Sequence, residues 1–167
     1  MEEISAIDTD NLIYIDETGV DSNITVQYGW SLLGEKSYAE KDGFTKERVS
    51  IVAAYDYLKK DLIAPFEFIG HMNASLFNSW FEQVLCPVLK PGKVIILDNA
   101  SFHKSIEIQD LADSQGCRVL FLPAYSPDLN PIEKFWANFK KQLRKIIKKS
   151  LNFKSAISSA MRKSLSG

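Results

Sequence analysis

The chain has 167 residues, 46% apolar and 25% charged, a globular composition that excludes disorder of the whole chain. No apolar run reaches the roughly 18 residues that cross a bilayer, the acidic start Met1-Glu2-Glu3 does not resemble a secretory signal, and the two cysteines, Cys86 and Cys117, lack the spacing of a zinc site or disulfide framework. The net charge of −1 hides an asymmetry, because Lys134 to Gly167 carry 10 Lys/Arg and no Asp or Glu, leaving 10 bases against all 21 acids in the rest. A basic terminal segment on an acidic body points to a polyanion partner for that segment, and the whole reads as a protein of the reducing cytoplasm with no membrane partner.

Asn11 to Asp16 reads as a short buried strand that ends at Asp16, with a turn over Glu17 to Asn23. Ile24 to Trp30 is a second strand and Gly34 to Lys46 a loop. Arg48 to Tyr57, rich in Val, Ile, Ala and Tyr, is a third strand, and Lys59-Lys60-Asp61 turns the chain toward a further short strand at Pro65 to Ile69. Asn73 is placed as a helix N-cap. Leu76, Phe77, Trp80, Phe81, Val84, Leu85 and Val88 follow at helical spacing until Pro91-Gly92.

Val94 to Leu97 is a continuous apolar run, the mark of a strand buried on both faces. A helix over Ser101 to Ser114, closed by Gly116, leads to a strand at Arg118 to Leu122 and a loop at Pro123 to Asn130. A long helix runs from Pro131 to about Lys149, and a last short helix starts after Asn152. Strands followed by alternating helices and strands define an α/β fold, a mixed sheet with helices on its faces. The division is 1–150 for the main domain and 151–167 for a short basic helix or tail.

Two carboxylates fall at strand ends, Asp16 and Asp98, where ligand sites of open α/β sheets gather. A third, Glu133, lies in the first turn of the long helix. Singly, each has a local explanation: Asp16 opens a turn, Asp98 caps a helix, and Glu133 completes a capping box with Asn130. Three acids at one sheet edge repel each other unless a divalent cation neutralises them, and hard Mg²⁺ takes one or two carboxylates plus water and phosphate oxygens. Two such ions serve phosphoryl transfer.

Three segments carry a family resemblance. Val94-Ile-Ile-Leu-Asp-Asn-Ala-Ser-Phe-His-Lys104 and Leu122-Pro-Ala-Tyr-Ser-Pro-Asp-Leu-Asn-Pro-Ile-Glu-Lys-Phe-Trp136 resemble the second and third acidic motifs of mariner-superfamily DDE transposases, in the bacterial insertion-sequence branch. Tyr14-Ile-Asp-Glu-Thr-Gly19 resembles the first. The resemblance implies an RNase H-like core with Asp16, Asp98 and Glu133 as metal-binding triad for Mg²⁺, with Mn²⁺ as substitute and two ions in the site. It implies nicking of double-stranded DNA at transposon ends and strand transfer into a target, generally at TA, with a homodimer pairing the ends. Asn99 and His103 fall in the second motif as residues that orient water or phosphate, and Asn130 caps the helix that aims Glu133. The family's N-terminal helix-turn-helix module does not fit in the ten or so residues before the first strand, so either the chain is a piece of a longer protein or DNA recognition is expected from a separate subunit.

On a helical wheel with Glu133 at zero, Lys140, Arg144 and Lys148 share its face, with Lys141 and Lys145 beside them. Phe135, Phe139, Leu143 and Ile146 lie opposite. The basic stripe is the candidate DNA-phosphate contact. Two other readings keep the same residues: an RNase H-fold nuclease that only hydrolyses, and a non-catalytic transposase relic or regulator.

Overall fold

The computed structural model describes residues 8–22, 47–98, 106–123 and 130–166. Five strands form one sheet in the order β3-β2-β1-β4-β5: β1 Leu12–Asp21, β2 Arg48–Asp56, β3 Asp61–Phe68, β4 Val94–Leu97 and β5 Arg118–Phe121. β1, β2 and β3 pair antiparallel, and β1–β4 and β4–β5 pair parallel. Among the described residues four α-helices flank it: α1 Ala74–Trp80, α2 Ile106–Ser114, α3 Ile132–Ile146 and α4 Phe153–Leu165. The strand expected at Ile24 to Trp30 lies outside the described residues.

β1 runs five residues further than the sequence suggested. Glu17-Thr18-Gly19 reads as a turn, yet it stays extended because β2 pairs with it throughout, to Asp21 opposite Arg48. Val20, 1% exposed, is then buried against α3 and α4. Asp16 therefore sits in mid-strand, opposite Ala53 of β2, while on its other side β4 stops at Leu97.

β3 is also longer than expected, starting at Asp61 rather than Pro65. Its pairing with β2 slips between Val52 and Ala54, and Ala64 beside the slip takes a φ of 54°. A bulge on an edge strand tolerates Pro65, which has no N–H to give to a ladder. The indole Nε1 of Trp80 donates to the Ala64 carbonyl at 2.9 Å and holds the bulge against α1.

Asn73 caps α1 as expected, its side chain accepting the Leu76 N–H at 2.9 Å. The helix does not continue regularly to Pro91. It widens into a π-turn over Phe81–Leu85 and tightens into a 3₁₀ turn over Cys86–Val88. Pro87 accounts for both, since its ring clashes with the carbonyl four residues back and it lacks a donor. Gly116, at φ 68°, closes α2: its N–H donates to Asp113 O at 2.9 Å, and the Cys117 N–H donates to Ala112 O at 2.9 Å.

The sheet has an apolar layer on each side. Ile13, Ile15, Val52, Ala54, Ile95 and Leu97 face Phe77, Trp80, Phe81 and Leu85 and the α2 residues Ile108 and Ala112. The opposite residues Val20, Ile51 and Ala53 meet Ile132, Phe135, Trp136, Phe139 and Leu143 of α3. Phe153, Ala156, Ile157 and Ala160 of α4 join this second layer. α4 begins at Asn152, whose side chain accepts the Ser155 N–H at 2.8 Å in a capping box. Cys86 and Cys117 are buried as small core residues. Among the described residues no helix is long and apolar enough to cross a membrane.

Candidate active site

Alternation along β1 puts Leu12, Tyr14 and Asp16 on one face. Leu12 and Tyr14 pack with Val94 and Ile96 of β4. The parallel register pairs Leu12 with Val94 and Tyr14 with Ile96. Two residues further along the chain from each come Asp16, still in β1, and Asp98, where β4 has ended. Two carboxylates from segments far apart in sequence are thus close enough for the charge of Asp98 to act on Asp16.

The α3 side of the sheet is also the side of Asp16, because Ala53, opposite Asp16, packs in the layer that holds Ile132 and Phe135. Glu133, exposed in the first turn of α3, is brought close enough for its charge to be felt at Asp16. Burial is the main cause that pushes the Asp16 carboxyl up to about 7 from its ordinary 3.8. A hydrogen bond from the Glu17 backbone opposes this, and the charges of Glu133, Asp98 and Glu17 add to the rise. Glu17 is a fourth nearby acid that the turn reading passed over; the signal was an Asp-Glu pair in a strand rather than after it.

Asp16 Oδ2 is buried and has no hydrogen-bond partner among the described residues. A buried carboxylate oxygen without a donor, ringed by other acids, is a seat for a cation. As placed, no three His, Cys, Asp or Glu side chains of the described residues close around one ion. The donor set still fits a hard divalent ion, which needs one or two carboxylates and completes its shell with water and phosphate oxygens.

Other expected residues fare differently. Asn99 and His103 lie outside the described residues, as does the 124–129 stretch of the third motif. Asn130 is described, and its expected role as a side-chain cap is not realised. α3 starts at Ile132 behind a helical Pro131, with no side-chain cap bond. The Asn130 carbonyl, not its carboxamide, accepts the Glu133 N–H at 3.1 Å. Asn130 itself is buried, and its Oδ1 has no partner among the described residues. Trp136, at the margin of the apolar face by sequence, is fully buried.

α3 buries Ile132, Phe135, Trp136, Phe139 and Leu143, and Lys141, Arg144, Lys145 and Lys148 are exposed with Lys140 half-buried. The basic side chains therefore lie along the open arc of the helix that carries Glu133 in its first turn, with Lys148 in the 3₁₀ turn that follows it.

The five-stranded mixed sheet of the described residues, with helices on both faces, is an RNase H-like fold. The chain belongs to the DDE superfamily endonucleases, whose family model matches residues 11–156. Divalent-metal use is general to that superfamily. No curated protein matches the chain in sequence. Among solved structures it is similar to the Mos1 transposase paired-end complex with left transposon end, at 16% identity and a TM-score of 0.61, over 98% of this chain and 56% of that one. It is similar to a chain of the simian T-cell lymphotropic virus intasome in complex with the PP2A regulatory subunit B56 gamma, at 16% identity and TM-score 0.62, over 91% of this chain and 47% of the other. The catalytic core domain of BIV integrase gives 13% identity and TM-score 0.53, over 91% and 81%. The chain thus spans about half the length of the Mos1 and intasome chains.

Proposed function

We infer that this chain is the catalytic core of a mariner-type DNA transposase of the bacterial insertion-sequence branch. It hydrolyses a phosphodiester at each transposon end and transfers the freed 3′-hydroxyl into target DNA, at TA. The observation that carries the reading is Asp16, a buried acid with an orphaned oxygen whose carboxyl is raised in part by Glu133 and Asp98. Acids from three distant segments act on one another there, which no local turn, cap or capping box explains.

In this reading Asp16, Asp98 and Glu133 hold Mg²⁺, or Mn²⁺ in its place. Bound there, a pair of such ions would activate the attacking oxygen and stabilise the leaving one. Asp16 and Asp98 orient the reacting phosphate over the rim of the sheet, and the apolar layer beneath them keeps both carboxylates from swinging away. Lys140, Lys141, Arg144, Lys145 and Lys148 bind the phosphates of the duplex leading to the site, a contact that positions DNA without reading its sequence. Asn99 and His103 complete the site, orienting water or phosphate. End recognition belongs to a helix-turn-helix module, and a homodimer pairs the two ends.

The test is a cleavage and strand-transfer assay with the chain, Mg²⁺ or Mn²⁺, and transposon-end DNA supplied with a fused DNA-binding module. Covalent joining of end to target, lost in Asp98→Asn with the fold retained, is the expected result. Hydrolysis without joining returns the nuclease reading. No cleavage under either metal returns the regulator.

A further inference from the structure

Asn130 is 5% exposed, and its side-chain oxygen has no hydrogen-bond partner among the described residues. It stands at the head of α3, a 15-residue helix, and its backbone carbonyl accepts the N–H of Glu133 at 3.1 Å. The carboxamide does not cap the helix, since no side-chain cap bond is made. A buried acceptor left without a donor is costly, and natural proteins retain one where something outside the polypeptide completes it. Asp16 Oδ2 is a second buried acceptor without a donor, and it feels the charge of Glu133. Both orphans are acceptors. A cation suits the charged Asp16 oxygen, and a donor carried by that cation, such as a metal-bound water, suits the neutral Asn130 oxygen three residues before Glu133.

We propose that Asn130 is a positioning residue of the carboxylate site, its Oδ1 accepting a hydrogen bond from a water on the divalent ion that Asp16, Asp98 and Glu133 hold. The inference rests on the metal-dependent reading above and assigns the carboxamide to the ion's outer shell, where such partners set ligand orientation and affinity. Glu133 supplies the charge and Asn130, three residues earlier, fixes the water beside it.

The experiment titrates Mn²⁺ alone into the protein, reading free Mn²⁺ by electron paramagnetic resonance, and melts the metal-free protein in parallel. The variants are Asn130→Ala, Asn130→Asp, Asn130→Leu and Asp16→Asn. Asn130→Ala is expected to weaken Mn²⁺ binding about 10-fold while the metal-free protein still folds and melts cooperatively, because among the described residues the carboxamide oxygen has no donor to lose. Asn130→Asp keeps an acceptor and recovers the affinity. Should Asn130→Ala not fold, Asn130→Leu retains the bulk without the acceptor and is read in its place. Wild-type affinity in the Ala or Leu variant overturns the proposal, and a fall in metal-free melting with that affinity unchanged assigns Asn130 to packing alone. If Asp16→Asn loses Mn²⁺ while Asn130→Ala does not, only this inference fails. If the wild type binds no Mn²⁺, the metal-dependent reading fails and takes this one with it.

Discussion

Asp16 in β1 and Asp98, the first residue past the end of β4, each follow the paired Tyr14 and Ile96 by two positions, and the charge of Asp98 is felt at Asp16. Leu12, Tyr14, Val94 and Ile96 pack beneath them on the same face. The pairing of two acids is thus an outcome of register: a one-residue slip of β4 against β1 would turn Asp98 to the other face. An apolar layer that fixes the register therefore also fixes the distance over which two like charges meet.

The burial of Asp16, with the charges around it, has a stability signature. The Asp16 carboxyl sits at about 7 in the folded chain against 3.8 ordinarily. Between those values the folded state holds a proton that the unfolded state has lost. Stability from this group is therefore full below the lower value and is lost as pH rises through the upper one. Urea unfolding of the metal-free protein at about pH 5 and about pH 8 should show a loss of roughly 2 kcal/mol on raising the pH. Asp16→Asn should flatten the slope and raise stability at the higher pH. A slope that survives in the variant would place its source elsewhere.

Divalent cations should invert this dependence. A metal competes with the proton for the same oxygens, so binding strengthens as Asp16 ionises. Thermal melting with excess Mn²⁺ is expected to shift upward at about pH 8 and scarcely at all at about pH 5. Asp98→Asn should abolish the shift and, in the cleavage assay, lower the rate at least about 100-fold. An equal shift at both pH values would mean that the cation binds somewhere other than these carboxylates.

Parts of this were legible in the sequence and parts were not. Val94–Leu97 announced a strand buried on both faces because an unbroken apolar run has no polar side to expose, and all four residues are buried. Asn73 and Gly116 punctuated their helices because capping and positive φ are local properties. The length of β1 was hidden because Glu17-Thr18-Gly19 has turn chemistry, and only pairing with β2, more than 20 residues later, overrides it. Asn130 misled for the same reason: Asn-Pro before an apolar face reads as a cap, whereas the helical backbone of Pro131 moves the helix start and leaves the carboxamide buried. Local pattern alone did not join Asp16, Asp98 and Glu133, each of which has a turn or cap explanation; the family resemblance did, and the charges of Asp98 and Glu133 are felt at Asp16.

The open arc of α3 and the turn after it carry their own expectation. Lys140 and Arg144 follow Glu133 along α3 and Lys148 lies in the 3₁₀ turn that continues it, while the buried residues hold the helix against the sheet. Replacing the three by Gln should leave the fold intact, since none belongs to the core. Affinity for duplex DNA should fall for every sequence alike, and the slope of log affinity against log salt should shrink by about 2 to 3, near one per phosphate contact removed. Unchanged affinity and slope would show that DNA approaches by another face.

The last expectation concerns the bulge on β3, which shapes the edge farthest from β5. Ala64 has a positive φ without being glycine, and its carbonyl accepts from Trp80 Nε1 at 2.9 Å. Trp80 is 2% exposed and stacks at a tilt on Phe77, so the indole spans the core to reach that carbonyl. Trp80→Phe keeps an aromatic in the cavity but withdraws the donor and part of the volume, and should cost about 1 to 3 kcal/mol in urea unfolding. Ala64→Gly relieves the backbone strain while loosening the unfolded chain, two effects of opposite sign and similar size, and should change stability by less than about 1 kcal/mol. Because the bulge lies two strands away from Asp16, Mn²⁺ affinity should be wild type in both variants. A loss of affinity in Trp80→Phe would mean that the α1 layer, and not β1 and β4 alone, sets the spacing of the acids.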